Sequence, residues 1–77
     1  MTADEMFREL GYKRYGSSRV KKYSRITDDG CDIIRVNAEE GLAEKMSLLN
    51  DGDSPIYWWG KSEVFAVAKL LEEMEVE

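Results

Sequence analysis

Between Tyr12 and Arg25 the chain carries Lys13, Arg14, Arg19, Lys21, Lys22 and Arg25, and no acidic residue. Tyr12, Tyr15 and Tyr23 are interleaved with them. Cations neutralise phosphates and aromatic rings stack on bases, so this mixture on a sheet face suits single-stranded nucleic acid. The stretch carries +6, the other five basic and sixteen acidic residues leave −11, and the whole chain has −5. Net negative charge works against a polyanion partner at long range, and no established nucleic-acid motif is present. The competing use of the stretch is a solvated strand face whose cations pair with acidic helices of the same chain.

Other chemistry has less to draw on. The chain has no His and a single cysteine, Cys31. A Ser-His-Asp or Cys-His triad and a thiolate–imidazole zinc site are thereby excluded within one chain. Asn50, Asp51 and Asp53 start like a calcium loop, but the spacing fails further on, since Glu63 is fourteenth from Asn50, where the loop needs a twelfth. Glu72, Glu73, Glu75 and Glu77 read as a solvated acidic helix end. There is no Gly-rich phosphate loop, and Cys31 reads as a structural, half-buried thiol. Neither a catalytic residue, a cofactor nor a metal is expected, and the chain reads as non-enzymatic. Tyr57, Trp58 and Trp59 form a candidate interface. Adjacent tryptophans on a strand point to opposite faces, so one suits the core and the other a contact surface.

These residues need elements to hold them. Thr2-Ala3-Asp4-Glu5 fits a capping box, Met6, Phe7 and Leu10 make a stripe, and Gly11 suits a left-handed stop, which predicts a helix over 3–10. Residues 19–36 predict a β-hairpin. A three-residue turn with Gly30 as left-handed bulge residue pairs Thr27 with Cys31 and Ser24 with Ile34. One face then carries Val20, Ile26, Ile34 and Val36. The other carries Arg19, Lys21, Tyr23, Arg25, Ile33 and Arg35, of which Arg19, Lys21, Tyr23, Arg25 and Arg35 are the candidate nucleic-acid face. A two-residue turn would shift the pairing and mix the faces. Residues 37–49 fit a helix capped by Asn37, with Leu42, Met46 and Leu49 in helical spacing. They also fit a strand after a Glu39-Glu40-Gly41 turn, and local chemistry favours the helix mildly. Residues 50–55 are a loop and 56–59 a short aromatic strand. A last helix capped by Ser62 runs to about Met74, with Val64, Val67, Ala68, Leu71 and Met74 as its apolar stripe.

With 77 residues the chain is read as one domain, 1–77, with a thin core. The fold class expected is α+β: a short N-terminal helix, a two- or three-stranded antiparallel sheet, and a C-terminal amphipathic helix packed on it. Phe7, Leu10, Val20, Ile26, Ile34, Val36, Val64, Val67 and Leu71 are the expected core. A lone cysteine, a polar start and no apolar run near ~18 residues point to the cytoplasm and away from a membrane.

The opening Met1-Thr2-Ala3-Asp4-Glu5-Met6-Phe7-Arg8-Glu9-Leu10-Gly11-Tyr12 resembles the start of small uncharacterised proteins of prophages and mobile elements in Gram-positive bacteria, M-T-A-[DE]-E-M-F-x-x-L-G-[FY]. Many of those continue with a basic-aromatic strand, a turn, a second strand and a capped helix, an outline that Tyr23–Ile34 and the helix after Ser62 fit. The resemblance implies an accessory protein and brings no assigned site residues. Contact with a protein partner or self-association as a homodimer is therefore the leading expectation, with nucleic-acid binding as the alternative.

Overall fold

The computed structural model describes residues 1–17, 19–37 and 39–75. The element order is α1 (Ala3–Glu9), β1 (Lys13–Gly16), β2 (Val20–Thr27), β3 (Gly30–Asn37), β4 (Leu42–Leu49) and α2 (Lys61–Glu75). The four strands form one antiparallel sheet in the order β1-β2-β3-β4. The α+β class is as expected; the sheet has one or two strands more. Among the described residues no helix is long and apolar enough to cross a membrane.

Helix α1 is closed by local chemistry at both ends. Thr2 and Glu5 make the reciprocal capping box. After Leu10 the chain turns through Gly11 at φ +90°, with Gly11 N–H bonded to Arg8 O at 2.9 Å and Tyr12 N–H to Phe7 O at 3.0 Å. This is the Schellman pair of bonds. Tyr12 packs edge-on against Phe7 at the same corner, with ring centroids 5.8 Å apart. The α1 N-terminus meets the far end of α2, where Ala3 N–H donates to Glu73 Oε2 at 2.9 Å. That bond answers a carboxylate which the dipole of α2 alone would disfavour.

The hairpin register differs from the expected one. Asp28 and Asp29 form a two-residue turn, so Thr27 pairs with Gly30, Ile26 with Cys31, Tyr23 with Ile34 and Lys21 with Val36. Gly30 lies in β3 and its φ is not positive. It is needed for another reason: a Cβ there would sit 1.8 Å from the Leu48 carbonyl oxygen of β4. The one-residue shift turns Tyr23 inward, 1 % exposed, and Ile26 outward, 92 % exposed. Val20, also expected inside, is only partly buried.

Residues 42–49 are a strand. Asn37 Oδ1 does accept the Glu40 N–H at 3.3 Å, as a cap would, but the chain then turns through Gly41 at φ +67°. Facing the helices, β4 presents Ala43, Lys45 and Ser47, opposite Val36, Ile34 and Asp32. This row is too polar to look like a core face. Beyond β4, Ile56 makes a single antiparallel bridge to Ser47, and Tyr57, Trp58 and Trp59 are not in a strand.

Helix α2 starts one residue before the Ser62 expected to cap it. The Gly60 carbonyl accepts from Val64 N–H at 3.0 Å, and Glu63 reaches back to the Gly60 N–H at 2.7 Å. The buried stripe is Glu63, Ala66, Val67 and Leu70, with Leu71 and Met74 beside it; Val64, Phe65 and Ala68 face outward. The expected stripe was thus rotated, because it took apolar residues only and passed over Glu63. The core between sheet and helices holds Ala3, Phe7, Tyr12, Tyr23, Ile34, Val36, Ala66, Val67 and Leu70. At its centre the Phe7 and Tyr23 rings stack at 3.9 Å.

Candidate functional site

Two constellations stand out, one inside the fold and one on its surface. The inner one is ionic. Glu63, 3 % exposed, accepts hydrogen bonds from Lys45 Nζ at 2.6 Å, Arg25 Nη2 at 3.4 Å, Gly60 N–H at 2.7 Å and the Tyr12 hydroxyl. Arg25 donates its Nε to Asp32 at 2.8 Å and its Nη1 to the Leu10 carbonyl at 2.8 Å, with its guanidinium 4.5 Å above the Tyr12 ring. Ser47 Oγ donates to Asp32 at 2.6 Å. Two cations face two anions, and among the described residues no buried side-chain polar atom lacks a partner.

The protonation states follow. Burial pushes the Glu63 carboxyl up, but hydrogen bonds from Lys45, Tyr12 and Gly60 outweigh it and hold it below its ordinary value. Burial acts likewise on Asp32, and Ser47 and Arg25 overcome it. Burial and then the Glu63 hydrogen bond raise the Tyr12 phenol. Burial works against the charge on Arg25, yet Asp32 and the surrounding groups keep it above its usual range. General acid–base work needs a proton exchangeable near neutrality, and these groups are held away from that condition. Their arrangement clamps the first turn of α2 and the end of α1 to β2, β3 and β4. Among the described residues no group of three metal-ligating side chains comes together.

The outer constellation is the sheet face turned away from the helices. Strand pairing lays its side chains in rows: Ile26–Cys31–Leu48, then Lys13–Ser24–Ile33–Met46, then Tyr15–Lys22–Arg35–Glu44, then Val20–Asn37–Leu42. Ile26, Cys31 and Leu48 of the first row and Ile33 and Met46 of the second form an apolar band, and among the described residues no helix or further strand lies over it. Cys31, the free thiol, is half-buried within the band. Exposed acidic residues Asp28, Asp29 and Asp51 lie past one end of the band, and Lys22 and Arg35 lie past the other.

The expected nucleic-acid residues do not share a face. Tyr23 is buried and donates to Asp4 Oδ1 at 2.6 Å, Arg25 is in the ionic network, and Lys21 also lies on the inner side. Arg19 is exposed, 3.8 Å from Glu39, and Arg35 is on the outer face, 3.9 Å from Glu44. Of the aromatic trio, Trp59 packs on the core and lines a cavity of about 270 Å³ with Ala43, Val64 and Val67. Trp58 is 82 % exposed and Tyr57 is exposed as well. Glu77 of the acidic end lies outside the described residues.

Sequence reasoning missed Glu63, Lys45 and Asp32. The signal for Glu63 was present: a Gly60 cap followed three residues later by Glu is half a capping box, and position 63 starts the 63/66/67/70/74 stripe. Compared with known families, curated proteins and solved structures, the chain matches no family, no curated protein and no solved structure.

Proposed function

We propose that the protein is a non-enzymatic accessory factor of a phage or mobile element, acting in the cytoplasm through protein–protein contact. The observation that carries this reading is the apolar band of exposed Ile26 and Leu48 with half-buried Cys31, Ile33 and Met46, on a sheet whose other face holds the core beneath the helices. Contiguous apolar surface of this kind marks interaction sites. Exposed Tyr57 and Trp58 beside the β4 edge add anchors of the type enriched in binding hot spots. The phage setting rests on the resemblance of residues 1–12 alone.

A photo-cross-linking amino acid placed at position 26 in the producing cell tests the reading, with position 68, exposed on α2, as control. Discrete protein adducts from 26 and none from 68 are expected. No adduct, or adducts to nucleic acid only, overturns it. The second reading, binding of single-stranded nucleic acid, is supported by Lys13, Tyr15, Lys22 and Arg35 sharing the outer face, with Lys22 Nζ 6.0 Å from the Tyr15 ring centroid. Titration with labelled single strands at low salt distinguishes it.

A further inference from the structure

The outer face carries its own complement. Its centre is apolar, one end is cationic and the other is anionic. Lys22 and Arg35 stand directly opposite each other on β2 and β3. Like charges in that position repel, and Glu44, beside Arg35 at 3.9 Å, is the one carboxylate in their row. Anionic groups brought over the row from outside would relieve the repulsion. The Asp28–Asp29 turn provides such groups about as far beyond the two apolar rows as Lys22 and Arg35 lie before them, since each row advances about 7 Å along the strands.

We propose that this face closes on the same face of a second copy, about a two-fold axis that runs across the strands and passes through the apolar band. The rows Ile26–Cys31–Leu48 and Ser24–Ile33–Met46 of one copy then cover the same rows of the other in reverse order. Lys22 and Arg35 of each copy come over the Asp28–Asp29 turn of the other. A two-fold axis along the strands would instead set Lys22 against Arg35 of the second copy, cation on cation. The pairing is isologous, as closed dimers require. Four strands about 4.8 Å apart and about seven residues long give each face roughly 450 Å² in projection. Stable interfaces use about 800 Å² of accessible surface per partner, so the dimer is a weak, reversible one. This deepens the proposed contact function by naming the partner, and it rests on the outer face being a protein-binding surface.

Sedimentation velocity of the full chain from about 1 µM to about 1 mM tests it, together with two surface variants: Lys22→Glu/Arg35→Glu, and Asp28→Lys/Asp29→Lys. The unaltered chain should pass from monomer to dimer. Each variant alone should stay monomeric, because both its end contacts become repulsive. An equimolar mixture should dimerise again, because both end contacts are then attractive, and only a two-fold arrangement restores both at once. Far-ultraviolet circular dichroism checks that each variant is folded. A monomer throughout the range, or a dimer indifferent to both variants, overturns the proposal. If position 26 still captures another protein in the cell while the purified chain stays monomeric, self-association fails and the contact reading survives.

Discussion

Lys45 Nζ lies 2.6 Å from Glu63 Oε1, linking β4 to the first turn of α2 with both side chains almost out of water. Glu63 also serves Arg25, Tyr12 and Gly60, so its removal leaves the buried Lys45 ammonium without its carboxylate, while Arg25 keeps Asp32. Breaking a buried ion pair from one side costs about 3–5 kcal/mol, against roughly 4–12 kcal/mol for a domain of this length. Glu63→Ala is therefore expected to lower the urea midpoint severely. Glu63→Gln, which keeps an acceptor, should cost less. Equal midpoints for Glu63→Ala and the unaltered chain would mean that the clamp contributes nothing.

Neighbouring leucines on α2 should behave differently. Leu70 is 1 % exposed, whereas Leu71 is only partly buried. Leu70→Ala should cost about 2–5 kcal/mol, with Leu71→Ala clearly cheaper by reversible denaturation. The reverse order would place the helix in the rotation that apolar spacing alone implies.

Stability should fall away on both sides of a plateau. On the acid side, Asp32 and Glu63 are held below their ordinary values of 3.8 and 4.5 in the fold. Their contribution is present above those values and is lost as pH falls through and below them. On the alkaline side, burial and carboxylate hydrogen bonds raise Tyr12 and Tyr23 above 10. The stability from their neutral phenols is present below pH 10 and lost as pH rises beyond it. Urea midpoints measured across pH check both limbs; a loss that begins well above the carboxylate range would contradict the acid limb.

Tyr23→Phe separates ring from hydroxyl. The Phe7 stack should survive, and loss of the 2.6 Å bond to Asp4 should cost about 1 kcal/mol. The Tyr23 hydrogen bond is the strongest influence holding the Asp4 carboxyl below its ordinary value. Nuclear magnetic resonance titration of Asp4 should therefore move upward in the variant, and an unmoved titration would show that the hydroxyl is not its partner.

Local signals were legible where the physics is local. The Thr2–Glu5 box, Gly11 as helix stop and the existence of the hairpin all rest on contacts within a few residues. The α+β class followed from them. What could not be read was decided by groups that recognise each other only across the fold. Arg25, Asp32, Lys45 and Glu63 are charged, so apolar periodicity assigned none of them to the interior. With that polar row hidden, residues 42–49 fit a helix as well as a strand, the α2 stripe turns toward Val64 and Ala68, and the register that keeps an apolar face apart from a basic one puts Val20 and Ile26 inside. The surface site suffered the same error. Tyr23 and Arg25 were read as outward-facing because the core they belong to is partly ionic. On Tyr57, Trp58 and Trp59, sequence reasoning put one tryptophan on the core and one at the surface; Trp59 is partly buried against the core and Trp58 exposed, although they lie in irregular chain and not in a strand.

Ile26 gives the sharpest test of the register. With the two-residue Asp28–Asp29 turn it stands 92 % exposed on the outer face. Truncation there removes almost no buried area, so Ile26→Thr should change stability by no more than about 0.5 kcal/mol, the range of ordinary surface substitutions. The measurement belongs at low protein concentration, where the chain is monomeric. With the three-residue turn, Ile26 would face α2 and the same substitution would open a cavity and bury a hydroxyl, costing about 2 kcal/mol or more. A loss of that size in dilute solution would show that the hairpin pairs one residue out of the register described, and would turn Tyr23 and Arg25 back to the surface.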